Sequence, residues 1–441
     1  MNGMPSAPES PPPSRSRAVY IVDGARTPFL KVRGRPGPFT PVDLAVQCGR
    51  PLLLRQDIPV QAFDQVILGC VNVLPTEMNP ARIAALRLGM GVRTPAFTVQ
   101  INCGSGMQSI DTAFRSIRAG VWDLVLAGGS EALSHAPVLL RPEAVKWFAD
   151  LRQGSSLLKR LRTLARWRSG FLKPVVGLKQ GLTDPVADLN MGQTAEILAH
   201  LFDIGREEAD RYALSSHQRL ARAQTEGWLA DEVEPAFAAD GRIYTLDDGV
   251  RPDTTLDALG KLTPVFERPF GKVTAGNSSQ VTDGASWLIL ASEQAVSKYQ
   301  LTPKAVIIDS AWAALEPQIM GLGPVLSVTT LLKRQNGKLD DIDLWEINEA
   351  FAAQILACLA AWENPDFCRE VLGLDQPPGR LDRERLNIDG GAVSLGHPVG
   401  ASGNRIVLHL VNALRRKGLK YGIASECIGG GQSGAMLIEA V

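Results

Sequence analysis

The sequence predicts a layered α/β protein of two similar halves, with a segment of helices and loops inserted in the first. Three observations predict it. Strand-like apolar runs alternate with helical stretches from Ala18 onward, one stretch of the first half recurs in the second at nearly constant spacing, and the strand pattern fades over roughly residues 131–265. In the first half the extended runs are VYIVDGA, FDQVILGC, AFTVQI and WDLVLAGG. Between the last two, Ser105 precedes apolar residues at Met107, Ile110, Phe114 and Ile117, the spacing of an amphipathic helix with Ser105 as its cap. A second series starts near residue 304 with AVIIDSA, DLWEINEA, YGIASEC and AMLIEAV, separated by helical stretches such as FAAQILACLAAW. The first unit, Ser105-Gly106, helix, Arg118, Gly120 and DLVLAGG, matches Ser402-Gly403, helix, Arg416, Gly418 and YGIASEC at an offset of 297 or 298 residues. That spacing is too long for a solenoid and fits a duplicated domain. The chain therefore divides into a tail over 1–17, a first half over 18–303 that carries the insertion, and a second half over 304–441.

Composition bounds the function. A chain of 441 residues with 45% hydrophobic and 21% charged residues builds more than one ordinary core. Lys+Arg and Asp+Glu balance at 46 each, so no global charge points to nucleic acid. The six cysteines (48, 70, 103, 358, 368 and 427) show neither a CxxC pair nor metal-ligand spacing, which suits a reducing compartment and argues against a zinc site or a disulfide framework. The opening MNGMPSAPESPPPSRSR lacks the apolar core of a secretory signal and reads as a flexible tail, and no run reaches the roughly 18 apolar residues of a membrane-spanning helix. The expected location is the cytoplasm.

One local charge feature stands out. Residues 151–183 hold no Asp or Glu, whereas Arg152, Lys159, Arg160, Arg162, Arg166, Arg168, Lys173 and Lys179 are basic. Within them SLLKRLRTLARW places Leu157, Leu158, Leu161, Leu164 and Trp167 at helical spacing. Such a helix lies on an anionic membrane, grips a partner, contacts ligand phosphates, or is an ordinary docked helix with a solvated basic face.

The candidate chemistry sits in four small, Gly-rich stretches where an α/β fold places loops at strand ends. INCGSGMQS puts Cys103 just ahead of a helix N-terminus, where free N–H groups and the helix dipole favour a thiolate. INEAF carries Asn348 and Glu349, GGAVSLGHPVGASG carries His397 ahead of a Ser402 cap, and ECIGGGQSGA carries Cys427 directly after a strand. In the duplicated reading His397 and Cys103 occupy equivalent turns, and halves packed face to face bring those turns together. An imidazole beside a thiol makes a nucleophile and its base, and Gly-rich backbone supplies N–H donors for an oxyanion. Each residue also has a structural reading: Cys103 and Cys427 as packed thiols, His397 as a loop-bonding side chain, Asn348 as a helix cap. Together they point to acyl transfer through a thioester.

The set NCGSGMQS, VLAGGSEALS, TAGNSSQVTDGA, NEAF, GHPVGASG and CIGGGQSGA, spread from about Val19 to the C-terminus, resembles the thiolases, the acyl-CoA:acetyl-CoA C-acyltransferases. The long insertion and RPFGKVTAGNSSQVTDGAS bring it nearest to the trifunctional-enzyme β-subunit group, although Asn348 stands where that group often carries His. The resemblance implies a thiolase-like fold and thiolytic cleavage of a β-ketoacyl-CoA by CoA in fatty acid β-oxidation. It makes Cys103 the nucleophile, His397 its base and Cys427 the acid that protonates the departing enolate. Asn348 holds a water beside His397, the N–H groups of Cys103 and Gly429 form a second oxyanion site, and Ser279, Met191 and Phe351 line the pantetheine and thioester. CoA is then a cosubstrate with no bound cofactor or metal, the assembly a homodimer or homotetramer, and residues 151–180 a contact with a membrane surface or a partner subunit. Three readings compete: an acetoacetyl-CoA-forming biosynthetic thiolase, a decarboxylating ketoacyl synthase, and a non-catalytic lipid-binding or scaffold protein. The synthase reading is disfavoured because it calls for two histidines where this chain has Asn348, and a second cysteine is present.

Overall fold

A computed structural model describes residues 17–441, so the expected tail lies, through residue 16, outside the described residues. Nine strands form one continuous sheet in the order Leu344–Ile347, Tyr421–Ile428, Gln432–Ala440, Ala305–Ala314, Val19–Arg26, Thr282–Ser292, Leu124–Ala132, Gln65–Gly69 and Ala96–Val99, with a short tenth, Leu30–Lys31, against Thr282–Ser292. The two halves join where Tyr20 pairs with Val306 and Ile21 with Ala305. Counting outward from that joint, the same sequence of strands recurs on both sides. In each half the third strand out, Leu124–Ala132 or Tyr421–Ile428, follows one long central helix.

Five layers result from where the apolar side chains go. Alternate residues of a strand face opposite sides of the sheet. Leu124 and Leu126 accordingly enter an outer core under the helices Pro41–Leu54 and Pro80–Arg87, while Val125 and Ala127 enter a central one. A second outer core lies under Gly323–Gln335 and Ala352–Glu363. The central core holds the helix Ser105–Arg118, through Met107, Ile110, Phe114 and Ile117, against the helix Val399–Lys417, through Ile406, Leu410 and Leu414. These are the nucleophile helix and the histidine helix of the account below. A sheet covered on both faces loses the polar alternation of a half-exposed one. That is why the eleven-residue strand Thr282–Ser292, buried throughout, is absent from the strand series expected from sequence.

The insertion runs between the strands ending at Ala132 and starting at Thr282, and holds the helices Pro142–Gln153, Leu157–Leu164, Met191–Leu201 and Arg206–Thr225. A buried ion network fixes it to the layers. Arg26 pairs with Glu232 and with Asp247, both at 2.7 Å, and His409 of the histidine helix meets Glu232 at 2.9 Å and Asp389 at 3.2 Å. Removing one partner from such a buried set costs about 3–5 kcal/mol, because the other charge stays buried and uncompensated. The basic helix covers only Leu157–Leu164, short of the SLLKRLRTLARW span. Its leucines do not dock: Leu157 is 75% and Leu158 59% exposed, so an ordinary docked helix does not describe it. Trp147, Trp167 and Phe171 cluster beneath it, and Trp147 Nε1 donates to Thr163 O at 2.7 Å. Among the described residues no helix is long and apolar enough to cross a membrane.

Candidate active site

Cys103 stands in the tight turn between the strand Ala96–Val99 and the nucleophile helix. Asn102 makes that turn with φ 47°, a left-handed conformation that asparagine tolerates. Its Nδ2 donates to Gly429 O at 2.7 Å, tying the cysteine turn to the loop that follows Cys427. The helix cap differs from expectation. Gly104 is the N-cap, and Ser105 Oγ turns back to accept from Ile101 N at 2.9 Å and to donate to Asn102 O at 2.7 Å, so Ser105 braces the turn and does not cap the helix.

The thiol itself corrects a second expectation. Its position ahead of a helix predicts easy ionisation, yet burial pushes Cys103 up to about 12; the N–H groups of Gly429 and of Cys103 itself act on the sulfur in the opposite direction. Desolvation outweighs the helix terminus, so the resting thiol is neutral and would need a base to become a thiolate.

His397 supplies a suitable group. Burial first, and then the like charge of Arg405, lower it to about 4, so the imidazole is neutral at physiological pH. Its Nδ1 lies 2.6 Å from Ser402 Oγ, and that hydroxyl donates to Pro398 O at 3.2 Å. The assignment in which the hydroxyl proton goes to Pro398 O puts the ring hydrogen on Nδ1 and leaves the Nε2 lone pair free; the opposite tautomer, with Ser402 donating to Nδ1, fits the same contacts. Nε2 is buried and has no hydrogen-bond partner. Ser402 is thus not the cap of the histidine helix, which starts at Val399 with Pro398 before it; Ser402 sits in the first turn and orients the imidazole.

The two turns meet because their helices do. A Cβ on Gly106 would fall 2.7 Å from Asn404 N and 3.0 Å from Gly400 O, so the first turns of the nucleophile and histidine helices touch backbone to backbone. A Cβ on Gly104 would fall 2.4 Å from Ile428 Cδ1, which sets the cysteine turn against the end of the strand carrying Cys427. Cys427 is buried with Met320 and Ala350, and Met191 and Phe351 pack on the same cluster. Burial drives its thiol well above the ordinary range, and the neighbouring Cys103 pushes in the same direction.

Asn348 is fully buried, and both polar atoms of its amide lack partners. Asn348 N donates to Ser425 O at 2.9 Å, which seats it beside the Cys427 strand. It does not cap the following helix, whose N-cap is Phe351. Buried amides are normally paired, so an orphaned one fits a site that takes up a water or a substrate oxygen. Gly429 lies between Asn102 and Met191, whose Sδ is 3.2 Å from where a Gly429 Cβ would be. Ser279 N donates to Ala350 O at 2.9 Å, and Phe266 packs edge-on to Phe351. Cys103, Cys427, Asn348, Gly429, Met191 and Phe351 thus form one neighbourhood. His397 heads the helix packed against the Cys103 turn, and Ser279 borders the neighbourhood through Ala350.

Sequence reasoning named Glu349 without giving it a role and left out Glu131; both hold this neighbourhood in place. Glu349 accepts from Tyr212 Oη, Ser216 Oγ, Asn387 Nδ2 and Val393 N, at 2.7–3.1 Å, and so ties the NEAF loop to the insertion and to the loop before His397. Glu131 accepts from Val71 N, Asn72 N and Gly400 N. The only sequence signal for either is an acidic residue at the end of an apolar strand. Among the described residues no group of three or more His, Cys, Asp or Glu is placed to hold a metal ion.

Comparison with known proteins agrees with this geometry. The family model described as Thiolase, N-terminal domain, matches residues 19–294, and Thiolase, C-terminal domain, matches residues 301–440. The chain is 38% identical over 427 residues to the mitochondrial trifunctional enzyme subunit beta of Bos taurus, covering 96% of this chain and 88% of that one. It is 39% identical over 429 residues to the mitochondrial 3-ketoacyl-CoA thiolase of Bos taurus, covering 96% and 98%. The crystal structure of human mitochondrial 3-ketoacyl-CoA thiolase in complex with CoA superposes with a TM-score of 0.83 at 38% identity, over 97% of this chain and 99% of that one. With both family domains matched along nearly the whole described length, the chain belongs to the thiolase family of acyltransferases.

Proposed function

We propose that the chain cleaves a β-ketoacyl-CoA with CoA, reversibly, to acetyl-CoA and a shortened acyl-CoA, carrying the acyl group on Cys103 in fatty acid β-oxidation. One observation carries the reading: the thiol of the Cys103 turn set against the strand that holds the Cys427 thiol, with a neutral imidazole heading the helix packed on that turn whose Nε2 is buried and unpartnered. His397 Nε2 takes the Cys103 proton as the sulfur attacks the β-keto carbon. The Cα–Cβ bond breaks, the acyl group stays on Cys103, and the acetyl-CoA enolate takes a proton from Cys427. CoA enters, gives its thiol proton to the Cys427 thiolate, and lifts the acyl group off Cys103, whose sulfur takes back its proton from His397. Negative charge develops on different oxygens in the two stages, so two donor sets are needed. The N–H groups of Cys103 and Gly429 serve one, and His397 with a water on Asn348 serves the other. Thiolysis of acetoacetyl-CoA by CoA tests the reading: the wild type turns over, and Cys103→Ala does not. Turnover by that variant rules Cys103 out as the nucleophile.

Two partner readings go with it. The strand Ala96–Val99 is a sheet edge next to the cysteine turn, with Phe97 exposed, and an unpaired edge invites pairing with a second copy. This supports a homodimer or homotetramer, which sedimentation measures; a monomer at micromolar concentration refutes it. The undocked leucines over 157–164, set among the basic residues of 151–180, support contact with an anionic membrane surface. Flotation with anionic vesicles at low salt tests this, comparing the wild type with a 157–168 deletion. Equal flotation removes the membrane reading and leaves a partner subunit as the occupant to test. The six free thiols support a cytoplasmic, reducing location, which cell fractionation checks.

A further inference from the structure

Glu426 takes no part in the steps above, and its surroundings are unusual. It is fully buried on the strand that ends at Cys427, and neither carboxyl oxygen has a hydrogen-bond partner. Successive strand residues face opposite sides, so Cys427 faces the thioester neighbourhood while Glu426 faces the central helices. There its Oε1 lies 2.2 Å from where a Gly403 Cβ would be, and Met107 N lies 2.6 Å from the same point. The carboxyl is therefore wedged between the starts of the two helices that follow Cys103 and His397.

The groups around it leave no counter-charge for an ionised form. From the histidine helix comes Arg405, already paired with Glu346 of the strand Leu344–Ile347 at 3.0 Å, and beyond it His409, held by Glu232 and Asp389. The nucleophile helix offers Asp111, taken up by Arg115 and Ser310. The cysteine turn brings Cys103, and its own strand brings Cys427. On the strand Gln432–Ala440 its opposite residue is Gly434. One guanidinium thus serves two buried carboxyls and bonds only one. Burial raises the other well above the ordinary carboxylate range, with Arg405 pulling weakly the opposite way.

We propose that Glu426, a buried and unpartnered carboxyl behind Cys103 and Cys427, is coupled electrostatically to the nucleophile: it leaves Cys103 undisturbed while neutral and suppresses the Cys103 thiolate once charged. The role rests on the thiolysis reading, but the test does not. Cys103 is the one cysteine of the six that keeps partial solvent exposure, although its sulfur is desolvated, so its alkylation by iodoacetamide reads the thiolate without turnover, and Cys103→Ala supplies the blank. Glu426→Gln keeps shape and removes the titration. Its alkylation rate relative to the wild type, followed from about pH 6 to about pH 10, should rise at least about threefold with pH, since one unit of thiol pKa corresponds to about tenfold in thiolate. Glu426→Leu, with no polar group at all, should show the same alkaline gain. Superimposable profiles for wild type and Gln, or a change of equal size at every pH, overturn the proposal. If thiolysis is absent while the alkaline gain appears, the coupling stands and the functional reading fails.

Discussion

Ser402→Ala tests whether the imidazole works as a base through its Nε2. Ser402 Oγ is 2.6 Å from His397 Nδ1, and both residues are buried. Without the hydroxyl, Nδ1–H has no acceptor, and the ring is free to move its proton to Nε2, which removes the lone pair that deprotonates Cys103. An orphaned buried donor costs about 1–3 kcal/mol. At about 1.36 kcal/mol per tenfold, kcat/KM for acetoacetyl-CoA thiolysis should fall about fivefold to about 150-fold. The loss should lie in kcat, with KM for acetoacetyl-CoA unchanged within about twofold, because Ser402 acts on the base and not on bound substrate. Single-turnover acylation of Cys103, followed by mass spectrometry, should slow in proportion. A variant with wild-type kcat, or one whose loss appears wholly in KM, refutes the assignment of Nε2 as the base.

Cys427→Ala should slow thiolysis by about 10²–10⁴-fold, the range expected for a lost general acid, while Cys103 still accepts an acetyl group from acetyl-CoA; loss of both activities contradicts the division of roles. Gly106→Ala brings a methyl to 2.7 Å from Asn404 N and pushes the two central helices apart, so it should destabilise by about 1–3 kcal/mol and lower activity; an unchanged melt refutes the close contact. Burial acts to lower His409, but the charge of Glu232 and the bond to Asp389 prevail and carry it up to about 10. A base raised in the folded state stabilises fully below its unfolded value near 6.5 and loses that contribution as pH climbs toward 10. The wild-type melting temperature should therefore fall between pH 7 and 10, and His409→Gln should flatten that slope; parallel slopes refute the charged histidine.

The fold was legible where one sheet face or one helix stripe sets the pattern. The duplicated helix–strand units at 105 and 402 are the two central helices and the strands that follow them, because each helix needs a continuous apolar stripe to sit in the central core. The strand Thr282–Ser292 was not legible, since burial on both faces erases alternation. Cys103, His397, Asn348 and Cys427 could be found in the sequence because they stand at or beside strand ends and helix starts, three of them in Gly-rich stretches. Their electrostatics could not. A helix N-terminus is visible in sequence and favours a thiolate at Cys103, but the desolvation that outweighs it comes from residues hundreds of positions away. The roles of Glu349 and Glu131 escaped for a similar reason: each is one acidic residue whose three or four donors come from distant loops.

The most direct measurement of the central claim is to mix the protein with acetoacetyl-CoA in the absence of free CoA, quench, and map the acetyl group by peptide mass spectrometry. The account predicts one acetyl group, as a thioester on Cys103, released when CoA is added. An acetyl group on Cys427, or none on any cysteine while thiolysis proceeds, would contradict it.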